Sequence, residues 1–203
     1  MNCLLCGTTY HEISWYALVT GKQPPTCKDC HLKFNYIEST PSRTYFQGTP
    51  LEDCLDSVTC LYEYNEWMKD YFHQYKRLGD HALSRVFSHH FTRGPYTPIP
   101  IYHATSPSKT FPHVEAFLPK KSTQHLLMKV DATNQSQRTL SERLVSSNPF
   151  RWISTEPPPK EIYLVDDIYT TGTTLHQAAY IAKQNGVQIV RGLCLAETFL
   201  KKE

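Results

Sequence analysis

Tyr163-Leu164-Val165-Asp166-Asp167-Ile168-Tyr169-Thr170-Thr171-Gly172-Thr173-Thr174 runs from apolar residues through two adjacent acids into a hydroxyl-rich loop around one glycine. Ile162 to Val165 reads as a buried strand, preceded by the breaker Pro157-Pro158-Pro159. Leu175, Ala178, Ala179 and Ala182 then recur at helical spacing, and Asn185-Gly186 is a helix stop. The loop therefore falls between the carboxyl end of a strand and the amino end of a helix, where α/β sheets place ligands. The following strand is expected over Val187 to Leu195.

Each residue type in the loop has a chemical use. Backbone N–H groups at a helix start are unpaired donors, and the helix dipole favours an anion. Gly172 lets the backbone turn tightly against a ligand. Thr170, Thr171, Thr173 and Thr174 add hydroxyl donors suited to a phosphate monoester, while ionised Asp166 and Asp167 are acceptors suited to a sugar cis-diol. Phosphate at one end and a diol at the other describe ribose 5-phosphate. The competing reading is a plain strand–turn–helix with a threonine cap; paired acids directly before Thr-Thr-Gly-Thr-Thr weigh against it.

At the amino end, Cys3-Leu4-Leu5-Cys6 and Cys27-Lys28-Asp29-Cys30 form two CxxC pairs. Such pairs aim four thiolates at one point and suit a tetrahedral Zn²⁺. A closed Cys₄ shell has no open position, so the expected role is structural. The segment between the pairs holds Trp15, Tyr16, Leu18 and Val19, too little for a core, so metal binding would supply most of its folding free energy. No thioredoxin-like pattern surrounds either pair. Seven cysteines, an odd count, and the lack of a leader-like stretch argue against a disulfide framework and for the cytosol. Cys194 is expected in an apolar strand, and Cys54 and Cys60 carry no assigned function.

The 203 residues suffice for one core plus a small module, with a zinc ribbon over 1–50 and an α/β domain over 51–203. A formal charge of +2 is too small to argue nucleic-acid binding, and nothing approaches a transmembrane run. Ser57 to Tyr64 reads as a strand. Glu66 to Phe91 reads as helix, with a possible break at Gly79-Asp80. Pro98-Ile99-Pro100-Ile101 reads as a strand end, Ser106 to Thr110 as a polar loop, Phe111 to Leu118 as helix, and Leu126 to Val130 as a strand. Asn134 to Asn148 is polar. His89-His90 reads as a surface or helix-end pair, since adjacent side chains diverge on a helix. Alternating strands and helices imply a parallel sheet flanked by helices.

The acid-and-threonine stretch resembles the signature of type I phosphoribosyltransferases, which bind 5-phosphoribosyl-1-pyrophosphate (PRPP) with Mg²⁺. That resemblance implies diol-binding, catalytic roles for Asp166 and Asp167 and 5-phosphate binding by Thr170, Thr171, Gly172, Thr173 and Thr174. Joined to an amino-terminal CxxC…CxxC ribbon, it is similar to the ComF family of late competence proteins. Lys76-Arg77-Leu78-Gly79-Asp80, the Pro98–Ile101 segment, and Gln137, Leu140, Arg143, Asn148 and Phe150 fit the same pattern. The resemblance implies support of DNA uptake, a phosphoribosyl or single-stranded DNA ligand, and a DEAD-box-like competence ATPase as partner at the inner face of the membrane. Lys76, Lys109 and Arg143 would meet pyrophosphate or DNA. The alternative it implies is an active Mg²⁺-dependent phosphoribosyltransferase of nucleoside metabolism. One stretch departs: where the family carries Arg-Gly-Phe-Asn-Gln, this chain has Lys109-Thr110-Phe111-Pro112-His113-Val114-Glu115. Lysine lacks the bidentate fork of arginine, so the resemblance supports 5-phosphate binding more than turnover.

Overall fold

The computed structural model describes residues 1–11, 24–41, 46–92, 94–101, 111–130 and 148–199. The readings placed on Trp15 to Val19, Ser106 to Thr110 with Lys109, and Asn134 to Ser147 with Gln137, Leu140 and Arg143 lie outside these residues. Seven strands are described: β1 (Tyr36–Ser39), β2 (Ser57–Glu63), β3 (Tyr96–Pro98), β4 (Leu127–Lys129), β5 (Phe150–Trp152), β6 (Glu161–Tyr169) and β7 (Ile189–Glu197). The helices are α1 (Lys28–His31), α2 (Glu66–Phe72), α3 (Ser84–Phe87) and α4 (Thr173–Gln184). The main sheet runs β1-β2-β7-β6-β3, with β1 antiparallel to β2 and every other pair parallel. The fold is thus α/β, a mostly parallel sheet flanked by helices.

The central unit is β6–α4–β7. The apolar face of α4 buries Leu175, Ala178, Ala179 and Ala182, small enough for the helix to lie close on the sheet. Asn185 ends it and Gly186 follows at φ +96°, the left-handed conformation that glycine adopts without strain. Two boundaries differ from the sequence reading. β6 does not stop at Val165, because β7 offers ladder partners as far as Tyr169↔Glu197, so both acids lie inside the strand. β7 starts two residues later than expected, at Ile189.

The expected helix over 66–91 is broken. Asn65 caps α2 by accepting from the Met68 N–H at 2.9 Å. A wide π-helical turn at His73–Arg77 follows, and Gly79 at φ +72° ends it. Asp80 caps the next turn through the Ala82 N–H. His89 and His90 occupy the last helical turn, as expected. The helix expected over 111–118 is corrected to one 3₁₀ turn at Glu115–Phe117. Pro112 and Pro119 leave room for little more, and Leu118 before Pro119 is extended at ψ 146°. The strand expected over 126–130 forms, but it pairs antiparallel with β5 in a separate hairpin instead of joining the main sheet.

Cores fill both faces of the sheet. One is aromatic, with Tyr62, Tyr71, Tyr75, Phe87 and Phe91. The other packs α4 and the β4–β5 hairpin on Val58, Ile162, Leu164 and Val190. Cys60 and Cys194 are buried there as register partners. Phe34, just past the second CxxC, enters the aromatic core edge-on against Phe87 at 4.9 Å and Tyr71 at 5.8 Å. β1 also pairs with β2, through a bulge between Tyr36 and Ser39 where Glu38 takes φ 46°. Phe34→Ala is expected to lower the unfolding free energy of the whole chain by about 3–5 kcal/mol. Chemical denaturation followed by tryptophan fluorescence checks this; a loss below about 1 kcal/mol would show that Phe34 does not tie the amino-terminal segment to this core.

Candidate functional site

The carboxyl ends of β3, β6 and β7 lie along one edge of the sheet, and the loop after β6 stands there. Thr170 and Thr171 are exposed, and Gly172 takes φ +79° as the residue before α4. The N-cap Gly172 brings no side-chain cap, and only the Thr173 N–H meets a side chain, Thr171 Oγ1 at 3.5 Å, so the helix start stays open to an anion. The Thr171 and Thr173 hydroxyls are hydrogen-bonded to each other at 2.9 Å, which holds both beside the helix start. A Cβ on Gly172 would come within 2.3 Å of the Tyr169 hydroxyl, so the close approach and the left-handed φ both require glycine. From below, the buried His176 holds the turn: its backbone N–H donates to the Gly172 carbonyl at 3.0 Å, and its Nδ1 lies 3.0 Å from the same oxygen. Phe46 stacks on that imidazole at 3.8 Å. His176 was not singled out in the sequence; its signal is a lone polar residue at a core position of α4.

Strand pleating sends the two acids to opposite faces. Asp167 is buried, and its Oδ2 lies 2.5 Å from Lys76 Nζ and 2.7 Å from His113 Nε2. Burial alone would raise its pKa; the His113 hydrogen bond and the Lys76 charge outweigh that and hold the carboxyl below the usual range. Asp166 has no such partner. Its Oδ1 accepts from the Asp167 N–H at 2.9 Å, and burial, with the neighbouring Asp167 charge, pushes it up to about 7. The structure therefore brings Asp167, Lys76 and His113 together and leaves Asp166 chemically distinct from its neighbour. His113 is the second residue the sequence reading passed over, although it stands where the family segment departs.

Lys76 reaches Asp167 from the π-helical turn, with its ammonium 4.3 Å above the Phe72 ring. On its other side is a cleft of about 410 Å³ lined by Tyr64, Lys69, Asp70, Phe72, His73, Lys76, Arg77 and Ile168. Lys109 and Arg143 lie outside the described residues.

At the amino end the Sγ atoms of Cys3, Cys6, Cys27 and Cys30 all lie within 4.8 Å of one another, and Cys6 and Cys27 are 3.9 Å apart. Zn–S bonds of about 2.3 Å require tetrahedral edges of about 3.8 Å, so the four thiols fit Zn²⁺. The Leu5 N–H donates to Cys3 Sγ at 3.4 Å, the turn contact of a CxxC knuckle. Hydrogen bonding with Thr8 lowers the Cys6 thiol to about 6, while burial pushes Cys30 well up. A cation among them would favour all four thiolates.

Fold and site define a class: an α/β protein with an acid-and-threonine motif at the carboxyl edge of its sheet and a cysteine cluster at its amino end. The chain is similar to competence protein ComFC of Streptococcus pneumoniae, at 29% identity over 96% of this chain and 99% of that protein. It is also similar to ComFC of Bacillus subtilis, at 26% identity over 91% of this chain and 89% of that protein. No family model matches the chain. The two similarities, each spanning most of both chains, support its assignment to the ComF family. Among the described residues no helix is long and apolar enough to cross a membrane.

Two outcomes are expected. Purified protein should carry one zinc per chain by elemental analysis, and Cys27→Ser should lose it; zinc-free protein with intact cysteines would overturn this. Asp166 favours its neutral form in the folded chain, so the stability it confers is complete below its ordinary pKa of 3.8 and is lost as pH rises through about 7. Asp166→Asn should therefore be more stable than wild type at pH 8, by on the order of 1–3 kcal/mol, and similar to it near pH 4. Denaturant titrations at the two pH values measure the difference, and no gain at pH 8 would contradict the half-buried environment without a cationic partner.

Proposed function

We propose that the chain is a competence protein that supports uptake of transforming DNA, and that its α/β domain holds a 5-phosphoribosyl group at Thr170–Thr174. The observation that carries the site is the uncapped start of α4 behind Gly172, where the Thr171 and Thr173 hydroxyls stand 2.9 Å apart. The competence role is supported by the similarity to two ComFC proteins along most of the chain. Asp166 and Asp167 would face the ribose, and a PRPP ligand would bring Mg²⁺ with its pyrophosphate. A 5′-phosphorylated single strand presents the same phosphate and sugar, and the cleft that Lys69, Lys76, Arg77 and Asp70 line beside Tyr64 and Phe72 offers its backbone Arg77 and its bases aromatic rings. A DEAD-box-like competence ATPase fits as partner in this role, with the protein at the cytoplasmic face of the membrane.

Phosphoribosyl transfer is the second reading, favoured by the open cavity beside His113 and Asp167. There Asp167, the ionised acid of the pair, would stabilise charge developing at C1 of the ribose.

Calorimetric titration of the zinc-loaded protein with PRPP/Mg²⁺, ribose 5-phosphate and 5′-phosphorylated single-stranded DNA tests the site. Thr171→Val together with Thr173→Val should weaken each phosphorylated ligand at least tenfold, since a hydrogen bond to a charged group contributes about 1.5–3 kcal/mol. Unaltered affinity would place the phosphate elsewhere. In a naturally competent host, the double variant should lower transformation; wild-type transformation with lost binding would separate the competence role from this pocket.

A further inference from the structure

Lys76 reaches Asp167 from a widened helical turn. α2 ends at Phe72, and the Leu78 N–H then donates to the His73 carbonyl at 3.2 Å, five residues back. π turns of this kind recur at functional sites. This one sets two consecutive side chains on adjoining parts of the site. The Tyr75 hydroxyl donates to the His113 carbonyl at 2.6 Å, and the Lys76 ammonium meets Asp167 Oδ2 at 2.5 Å. That ammonium also lies 4.3 Å above the Phe72 ring, and the Lys76 side chain is only 24% exposed, so it is held along its length.

Few groups set the charge at the acids. Asp167 Oδ2 is shared by Lys76 Nζ and, at 2.7 Å, His113 Nε2, and these partners hold the carboxyl in its ionised form against burial. Asp166 accepts the Asp167 N–H, and burial favours its neutral form over the pull of Lys76 and Lys129. What remains is one carboxylate and one ammonium in contact.

A divalent cation does not fit that arrangement. Mg²⁺ takes six oxygens at about 2.0–2.1 Å and is held by ionised carboxylates. Here Oδ2 of the ionised acid already meets two nitrogens, and the second acid favours its proton. A Mg²⁺ on Asp167 would share one carboxylate with the ammonium, like charge beside like charge. Among the described residues the cysteine cluster is the one group of three or more His, Cys, Asp or Glu donors close enough to hold a metal ion, and the acids with His113 are not.

We propose that Lys76 is the resident cation of the acid pair, and that the phosphoribosyl site at Thr170–Thr174 takes its ligand without a divalent metal at the acids. Lys76 balances Asp167, so this carboxylate can accept a ribose hydroxyl without repelling a phosphate at the threonine loop. It acts through Asp167 and is a positioning residue. Mg²⁺ carried on the pyrophosphate of PRPP is then dispensable for holding the ribose 5-phosphate end. This role rests on the phosphoribosyl reading above and adds to it the source of the counter-charge.

Ribose 5-phosphate is the probe, because it has no pyrophosphate to carry Mg²⁺. Calorimetry on the full zinc-loaded chain, in buffer without chelator, should give affinities within about threefold of each other with and without millimolar Mg²⁺. Lys76→Met should lower the Mg²⁺-free affinity at least tenfold, and Mg²⁺ should restore it, a recovery that a merely structural lesion would not show. Lys76→Arg, which keeps the charge, should gain no Mg²⁺ dependence. A wild-type affinity that rises more than about threefold with Mg²⁺, or a Lys76→Met variant that Mg²⁺ does not improve, overturns the proposal. The wild-type comparison decides even if Lys76→Met does not fold. If ribose 5-phosphate binds under neither condition, the phosphoribosyl reading has failed, and Mn²⁺ titration followed by electron paramagnetic resonance decides the role of Lys76 by itself. Wild type should leave Mn²⁺ free, Lys76→Met should bind it, and Lys76→Met combined with Asp167→Asn should not. Mn²⁺ bound by wild type through Asp167, or by none of the three proteins, refutes the resident cation.

Discussion

The parallel ladder between β6 and β7, continuous from Glu161↔Ile189 to Tyr169↔Glu197, is the constraint on which the remaining architecture depends. It fixes where the chain leaves the sheet, and so where α4 begins. It also carries the paired acids inside a strand, where pleating sets them on opposite faces. Asp167 thereby meets the π-helical turn and the Pro112–Glu115 turn, and Asp166 turns toward the face that packs α4 and the hairpin. Had the strand stopped at Val165, both carboxylates would sit on a free loop with no fixed partners.

The two acids carry different charges because of this placement. Asp167 is ionised and offset by Lys76 and His113, while the burial of Asp166 pushes it toward neutrality. The sheet edge therefore holds two carboxyls with little net negative charge. That matters for an anionic ligand, since two uncompensated carboxylates near a phosphate would repel it. An arrangement of this kind tolerates phosphate close to an acid pair, with the Lys76 ammonium as the resident positive charge.

Much of the fold was legible because hydrophobic periodicity and breakers act locally. The β6–α4–β7 unit, the stop at Asn185-Gly186, the break at Gly79-Asp80 and the CxxC cluster all rest on residues close in sequence. The threonine loop was legible for the same reason. What escaped was set by distant partners. The true end of β6 depends on how far β7 runs. The short turn at Glu115–Phe117 depends on prolines at both ends, and the pairing of β4 depends on Phe150–Trp152. In the site, Lys76 stood out as a cation, but its contact with Asp167 joins residues 91 positions apart. His113 showed only as a mismatch to a family segment, and His176 as a histidine among alanines.

Among the described residues the sheet leaves two edge strands. β3 has only three residues and ends in Pro98, whose ring nitrogen has no hydrogen to offer a new strand. β1 is interrupted by its bulge, with Glu38 in the left-handed region and Tyr36 and Glu38 joined through a side-chain hydrogen bond of 2.8 Å. Neither border presents a flat, unbroken row of backbone donors and acceptors. A second molecule that docks strand to strand would find no register to extend, so the parallel sheet is guarded against growth into fibrous aggregates while its ligand-facing edge stays open.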